Sequence, residues 1–231
     1  MTASGAVSKR PTLAGSVLAI AAALASVRFV ASGSGQLPPL ALAAVAAGIF
    51  GVGAAVRERD QDFLGWAFVA LGALAAVGAV GYAWSAPPSF SEKVVVLPGV
   101  VGVAFVAAAL VPVRAGWERR LLGVGLAWLA ICVMAAVIMQ EATKIDVLWS
   151  MAAAILSWDA GKNAVSLGQQ VGRGARTWTV EAVHGGASFA VALLAVVGAV
   201  GVYDLNVTGV SLAALALLLG GAISLAVALY N

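Results

Sequence analysis

Lys93-Val94-Val95-Val96-Leu97-Pro98-Gly99-Val100-Val101-Gly102-Val103-Ala104-Phe105-Val106-Ala107-Ala108-Ala109-Leu110-Val111-Pro112-Val113-Arg114 sets twenty uncharged residues between two cations. In hydrocarbon every backbone amide must find its partner inside its own element, and about 20 helical residues cross the apolar core of a bilayer. The stretch therefore reads as a membrane-crossing helix. Its run of Val, Ala, Gly and Leu without apolar–polar alternation argues against a strand of a transmembrane barrel.

Working outward, the same kind of run recurs along the chain. The expected spans are roughly 12–31, 37–56, 63–84, 94–113, 120–140, 143–160, 184–204 and 207–230. Punctuation falls between them: Ser32-Gly33-Ser34-Gly35 with Pro38-Pro39, Arg57-Glu58-Arg59-Asp60, Pro87-Pro88, Arg114 to Arg120, and Tyr203-Asp204-Leu205-Asn206. An apolar fraction of 62% and a mean hydropathy of +1.03 fit a multi-spanning membrane protein. The expected fold is all-α, a polytopic transmembrane bundle of eight spans forming a single integral membrane domain over 1–231.

Charge orients the bundle, because Lys and Arg collect on the cytoplasmic side. With the N-terminus inside, ten cations are cytoplasmic: Lys9, Arg10, Arg57, Arg59, Arg114, Arg119, Arg120, Lys162, Arg173 and Arg176. Arg28, Lys93 and Lys144 are outside. Both termini are then cytoplasmic, in a multi-pass protein of the cell membrane. The sixth run is the weakest, with twelve uncharged residues between Asp146 and Asp159. If it did not cross, ten to three would become seven to six, so it is read as a short span with Trp149 and Trp158 as interfacial anchors. Lys9-Arg10, the apolar stretch after them and Ala23-Leu24-Ala25 have the pattern of a signal peptide. With seven further spans following, the expectation is an uncleaved first helix.

Glycines within the runs (Gly48, Gly51, Gly53, Gly72, Gly78, Gly81, Gly198, Gly201, Gly220, Gly221) point to close helix packing, with a sliding interface or permeation path as the functional alternative. Motifs for chemistry are missing. Gly168 to Gly174 lacks the Gly-Lys-Ser/Thr ending of a phosphate-binding loop. One His and one Cys, with no converging carboxylates, supply neither a metal site nor a disulfide framework. Retinal would need a Lys deep in a late span, and Lys144 and Lys162 flank the sixth. Ser32-Gly33-Ser34-Gly35 has no His placed to serve a serine nucleophile. Asn206-Val207-Thr208 is a sequon pressed against the membrane. No catalytic residue, cofactor or nucleic-acid partner is expected.

The polar residues concentrate between Asp159 and His184. Asp159, Asn163, Ser166, Gln170, Arg173, Thr177, Glu181 and His184 recur at helical spacing along one face. Ala164, Gly168, Val171, Ala175, Trp178 and Ala182 form a second, small and apolar stripe. This predicts an amphipathic cytoplasmic-side segment over 161–183, either one helix or extensions of the sixth and seventh spans broken at Gly172 or Gly174. Three uses are open to it: an interfacial helix on anionic lipid, a docking surface for a partner protein, or a polar site using Asp159, Glu181 and His184, in which Glu181 orients the imidazole three residues on. Acidic groups on the polar face oppose anionic headgroups and favour a protein partner.

Trp158 to Gly172, followed by Val180-Glu181-Ala182-Val183-His184, resembles a family of haloarchaeal multi-spanning membrane proteins. Members of that family are similar to proteins encoded near MoxR-type AAA+ ATPases. The resemblance covers the C-terminal third and brings no catalytic residues with it; it implies a membrane component of a larger assembly. Two functions are therefore carried forward. One is a non-enzymatic membrane subunit, a scaffold or anchor for partners through 159–184, with the lipid bilayer as its other partner. The other is a small-solute channel or transporter.

Overall fold

The computed structural model describes residues 10–57, 59, 61–111, 116–171 and 177–205, and among these the regular structure is helical, with no strand. The helices are α1 (Leu13–Val30), α2 (Leu37–Arg57), α3 (Asp62–Ser85), α4 (Phe90–Leu110), α5 (Glu118–Met139), α6 (Lys144–Val171) and α7 (Trp178–Asp204). The fold is an all-α bundle of the membrane type: α1 to α5 and α7 are each long and apolar enough to cross a bilayer. α6 is outside that set, since Lys144, Asp146, Asp159 and Lys162 interrupt it. The expected eighth span, 207–230, and the Asn206 sequon lie outside the described residues. Residues 1–193 form one compact unit and 194–231 a second, of which the end of α7 through Leu205 is described.

Within the first unit, α2 pairs with α3, α4 with α5, and α1 with α6, while α4 touches α1, α2, α3, α5 and α6. The interior is rich in small side chains beside a few large ones such as Leu122 and Leu129. It includes Ala19, Ala23, Val27, Val95, Val100, Val103, Ala136, Ala154 and Ala164, whereas Leu18, Phe63, Trp66, Leu74, Ile138 and Ile155 face outward. Lipid tails are as apolar as leucine, so helices in a bilayer gain little by hiding large side chains. They gain van der Waals contact by bringing backbones together over small residues.

Interior glycines mark where that approach is closest. A methyl on Gly99 would lie 2.7 Å from both methyls of Val27, one on Gly102 2.9 Å from Leu129, one on Gly125 2.8 Å from Val106, and one on Gly161 2.6 Å from Leu122. At these distances a neighbour would have to shift, so glycine sets the close spacing at α4, α5 and α6. Other glycines behave differently: methyls on Gly48, Gly51 and Gly81 would meet nothing within 4 Å.

α6 runs antiparallel to α1, pinned at two levels. Near one end the Thr12 N–H donates to the Ala164 carbonyl at 3.1 Å. Fourteen residues further along each helix, the Ser150 hydroxyl donates to the Ser26 carbonyl at 2.6 Å, and both serines are fully buried. At helical rise this parallel travel is about 21 Å, most of the depth of a bilayer core. The helix weakest in hydropathy is therefore carried alongside an apolar one.

Candidate functional site

α1 begins where its sequence says a helix should begin. Thr12 stands just ahead of the apolar run in an extended conformation, φ −66° and ψ 150°, as an N-cap does. In the usual capping box a Glu three residues on would answer the cap; here that position is Gly15. The missing groups come from distant helices. The Gly15 N–H donates to Glu181 Oε2 of α7, and the Thr12 hydroxyl donates to the same oxygen at 2.9 Å. Thr177 donates its hydroxyl to Glu181 Oε1 at 2.5 Å. The Thr12 N–H is taken by Ala164 of α6. Glu181 is only 4% exposed, and its carboxylate faces the positive end of the α1 dipole. A side chain at residue 15 would collide at 2.7 Å with Ala164 Cβ and at 2.8 Å with Glu181 Oε2, so glycine is required for both helices to reach the cap.

One turn further along α7, a second polar group joins it to α6. His184 Nε2 lies 2.9 Å from Asp159 Oδ2, and the Ser188 hydroxyl donates to that same oxygen at 2.7 Å. The ring nitrogen is shielded from solvent without an aligned hydrogen bond, so with the ring protonated the contact is one of charge. Glu181, His184 and Ser188 are spaced by three and four and share one face of α7. The carboxylate beside the imidazole is therefore Asp159 of α6. Glu181, expected to orient the ring, turns to α1 instead. In a nucleophilic relay the imidazole stands between hydroxyl and carboxylate; here Asp159 stands between Ser188 and His184, and the serine is not activated.

The remaining residues of the polar stripe fall on the distal part of α6 or beyond it. Asn163 and Ser166 are half-buried; Gln170 is exposed and donates to the Ser166 hydroxyl at 2.9 Å. The Lys162 ammonium lies 4.3 Å from the Trp158 ring centre. Arg173 lies outside the described residues, and Thr177 serves Glu181. Of the expected apolar stripe, Ala164 is buried on α1 and Gly168 against the Arg10–Pro11 backbone, beside the buried Ala160, Gly161 and Val165. Val171, Trp178 and Ala182 are exposed, and Ala175 lies outside the described residues. The segment 161–183 divides accordingly: its first part continues α6 to Val171, and α7 begins at Trp178.

Thr12, Gly15 and Ser188 were not singled out from the sequence. A threonine directly before an apolar run is a readable cap signal, but its carboxylate partner is 169 residues away. Among the described residues, no group of three or more His, Cys, Asp or Glu side chains converges to hold a metal ion. No curated protein and no solved structure matches the chain. A family model does match, over residues 67–226, a stretch that takes in Asp159, Glu181, His184 and Ser188 but not the α1 cap. On that match the chain belongs to the DUF7519 family, a family of unknown function.

Proposed function

We propose that this protein is a non-enzymatic subunit of the cell membrane, with both termini cytoplasmic, that anchors a partner protein through the 159–184 region. The observation that carries this reading is the use of the polar groups already present. Glu181 ties the first part of α7 to the start of α1, and Asp159, His184 and Ser188 tie it to α6, so residues 181–188 of α7 are held by two helices through polar groups. Close glycine packing at Gly99, Gly102, Gly125 and Gly161 supports a static bundle over one whose helices slide. The surface left for a partner is the distal turn of α6, where Gln169 and Gln170 are exposed, with Asn163 and Ser166 at its edge and Arg173 following in sequence. The resemblance of this region to haloarchaeal proteins encoded near MoxR-type AAA+ ATPases suggests the class of assembly.

A photo-crosslinking residue at Gln170 should capture one cytoplasmic protein, and one at Leu74 on the exposed face of α3 should capture none. Equal capture at both positions, or none at either, contradicts the anchor reading. The second reading, a small-solute channel or transporter, draws on the half-exposed Asp159–His184 pair, since ionisable groups near the membrane interior commonly mark transport routes. Solute flux in liposomes that Asp159→Asn abolishes would favour it over the anchor.

A further inference from the structure

α1, α2 and α4 leave between them an apolar groove of about 490 Å³, within the size range of ligand sites. Leu13, Val17 and Leu24 of α1 line one wall, Gly48 and Gly51 of α2 the other, and Leu110 of α4 the floor. From Leu13 to Leu24 the groove follows eleven residues of α1, about 16 Å at helical rise. That is the form of a single extended hydrocarbon chain, not of a compact solute. The groove exists because two residues of α2 lack side chains. A methyl on Gly53 would touch the Gly65 carbonyl at 3.0 Å, so that glycine serves helix packing. A methyl on Gly48 or Gly51 would meet nothing within 4 Å, so helix packing requires neither glycine, and both line the notch.

One end of the groove is cationic. The Arg10 guanidinium reaches the carbonyl of Ala54, a groove residue, at 3.5 Å, a long contact that leaves most of its donors for other acceptors. Arg57, one turn beyond Ala54, stacks over Trp66 with 4.3 Å to the ring centre. Arg10 and Asp62 are near enough to act electrostatically on the Arg57 guanidinium, which lies over α3. Guanidinium forks match phosphate oxygens in pairs, and aromatic rings such as Trp66 settle at headgroup depth. Ordinary bilayer lipid wets any apolar helix face; a cationic pair at the end of a chain-sized notch selects by charge.

We propose that this groove is a binding site for an anionic phospholipid, one acyl chain lying between α1 and α2 and the phosphate held by Arg10 and Arg57. The test exposes the purified full-length chain to vesicles of phosphatidylglycerol or of phosphatidylcholine with identical acyl chains. Lipid retained per protein is then counted by native mass spectrometry, with thermal unfolding recorded for each variant. One phosphatidylglycerol should be retained in preference to phosphatidylcholine. Arg10→Gln should cut that preference about fivefold, the effect of one cation near an anionic surface. Gly48→Leu and Gly51→Leu, which fill open space, should abolish retention of both lipids without lowering the unfolding temperature. Equal retention of the two lipids, or an unchanged preference in Arg10→Gln, would overturn the proposal. So would Gly51→Leu binding as the wild type does, or a cysteine at Gly51 crosslinking to protein, which would make the occupant a polypeptide.

Discussion

Replacing Glu181 by alanine tests whether α7 supplies the missing cap of α1. The carboxylate accepts from the Gly15 N–H, the Thr12 hydroxyl and the Thr177 hydroxyl while almost wholly buried. Glu181→Ala leaves the Gly15 N–H without an acceptor, and a buried orphaned donor costs about 1–3 kcal/mol. That lost bond is the cap interaction itself, and loss of an anion at the positive end of the helix adds about 0.3–1 kcal/mol. Removing a buried charge recovers part of this, so the expected net destabilisation is about 2 kcal/mol. Glu181→Gln keeps one oxygen for Gly15 and should cost about 1 kcal/mol; Thr177→Val loses one hydrogen bond and should cost about the same. Equilibrium unfolding in detergent micelles measures all three. A double-mutant cycle between Thr177 and Glu181 should give a coupling of about 1 kcal/mol. The reasoning fails if Glu181→Ala stays within about 0.5 kcal/mol of the wild type, or if Gln is as damaging as Ala.

Gly168→Ala would drive a methyl into the Arg10 carbonyl, backbone that cannot step aside, and should destabilise by about 1–3 kcal/mol in the same unfolding assay. Gly51→Ala meets nothing and should be neutral or stabilising by up to about 1 kcal/mol. Gln140 ends α5 at φ 57°, where the Glu141 N–H donates to the Ala136 carbonyl at 3.0 Å. This is the left-handed cap that glycine normally fills, so Gln140→Gly should stabilise by about 0.5–1 kcal/mol in thermal unfolding. Reporter fusions after Arg59, Ser91, Arg120 and Arg176 should read inside, outside, inside and inside; an outside signal at Arg176 would mean that α6 does not cross.

Hydropathy and punctuation located the helices closely because both depend on neighbouring residues. The run 94–113 became Phe90–Leu110, with Ser89 capping the Glu92 N–H in front of it, and 37–56 became Leu37–Arg57. α6 was harder to bound, since Asp159 and Lys162 look like a membrane exit. The helix continues to Val171 because Gly161, Ala164 and Gly168 pack on α5 and α1, a relation the local pattern does not contain. The helical spacing of Glu181 and His184 was legible, but not their partners. Glu181 answers Thr12 and Gly15, and His184 answers Asp159, across helices far apart in sequence. Of the small apolar stripe, Ala164 and Gly168 face inward because α1 comes close there at Gly15 and Arg10, whereas Val171, Trp178 and Ala182 stay exposed.

Purification of the protein from its native membrane in mild detergent, with every co-eluting polypeptide identified and quantified, tests the anchor reading most directly. The account predicts a stoichiometric protein partner whose retention falls in Asn163→Ala plus Gln170→Ala while the variant remains membrane-inserted and folded. A chain that elutes alone, and conducts a small solute once placed in liposomes, would contradict it.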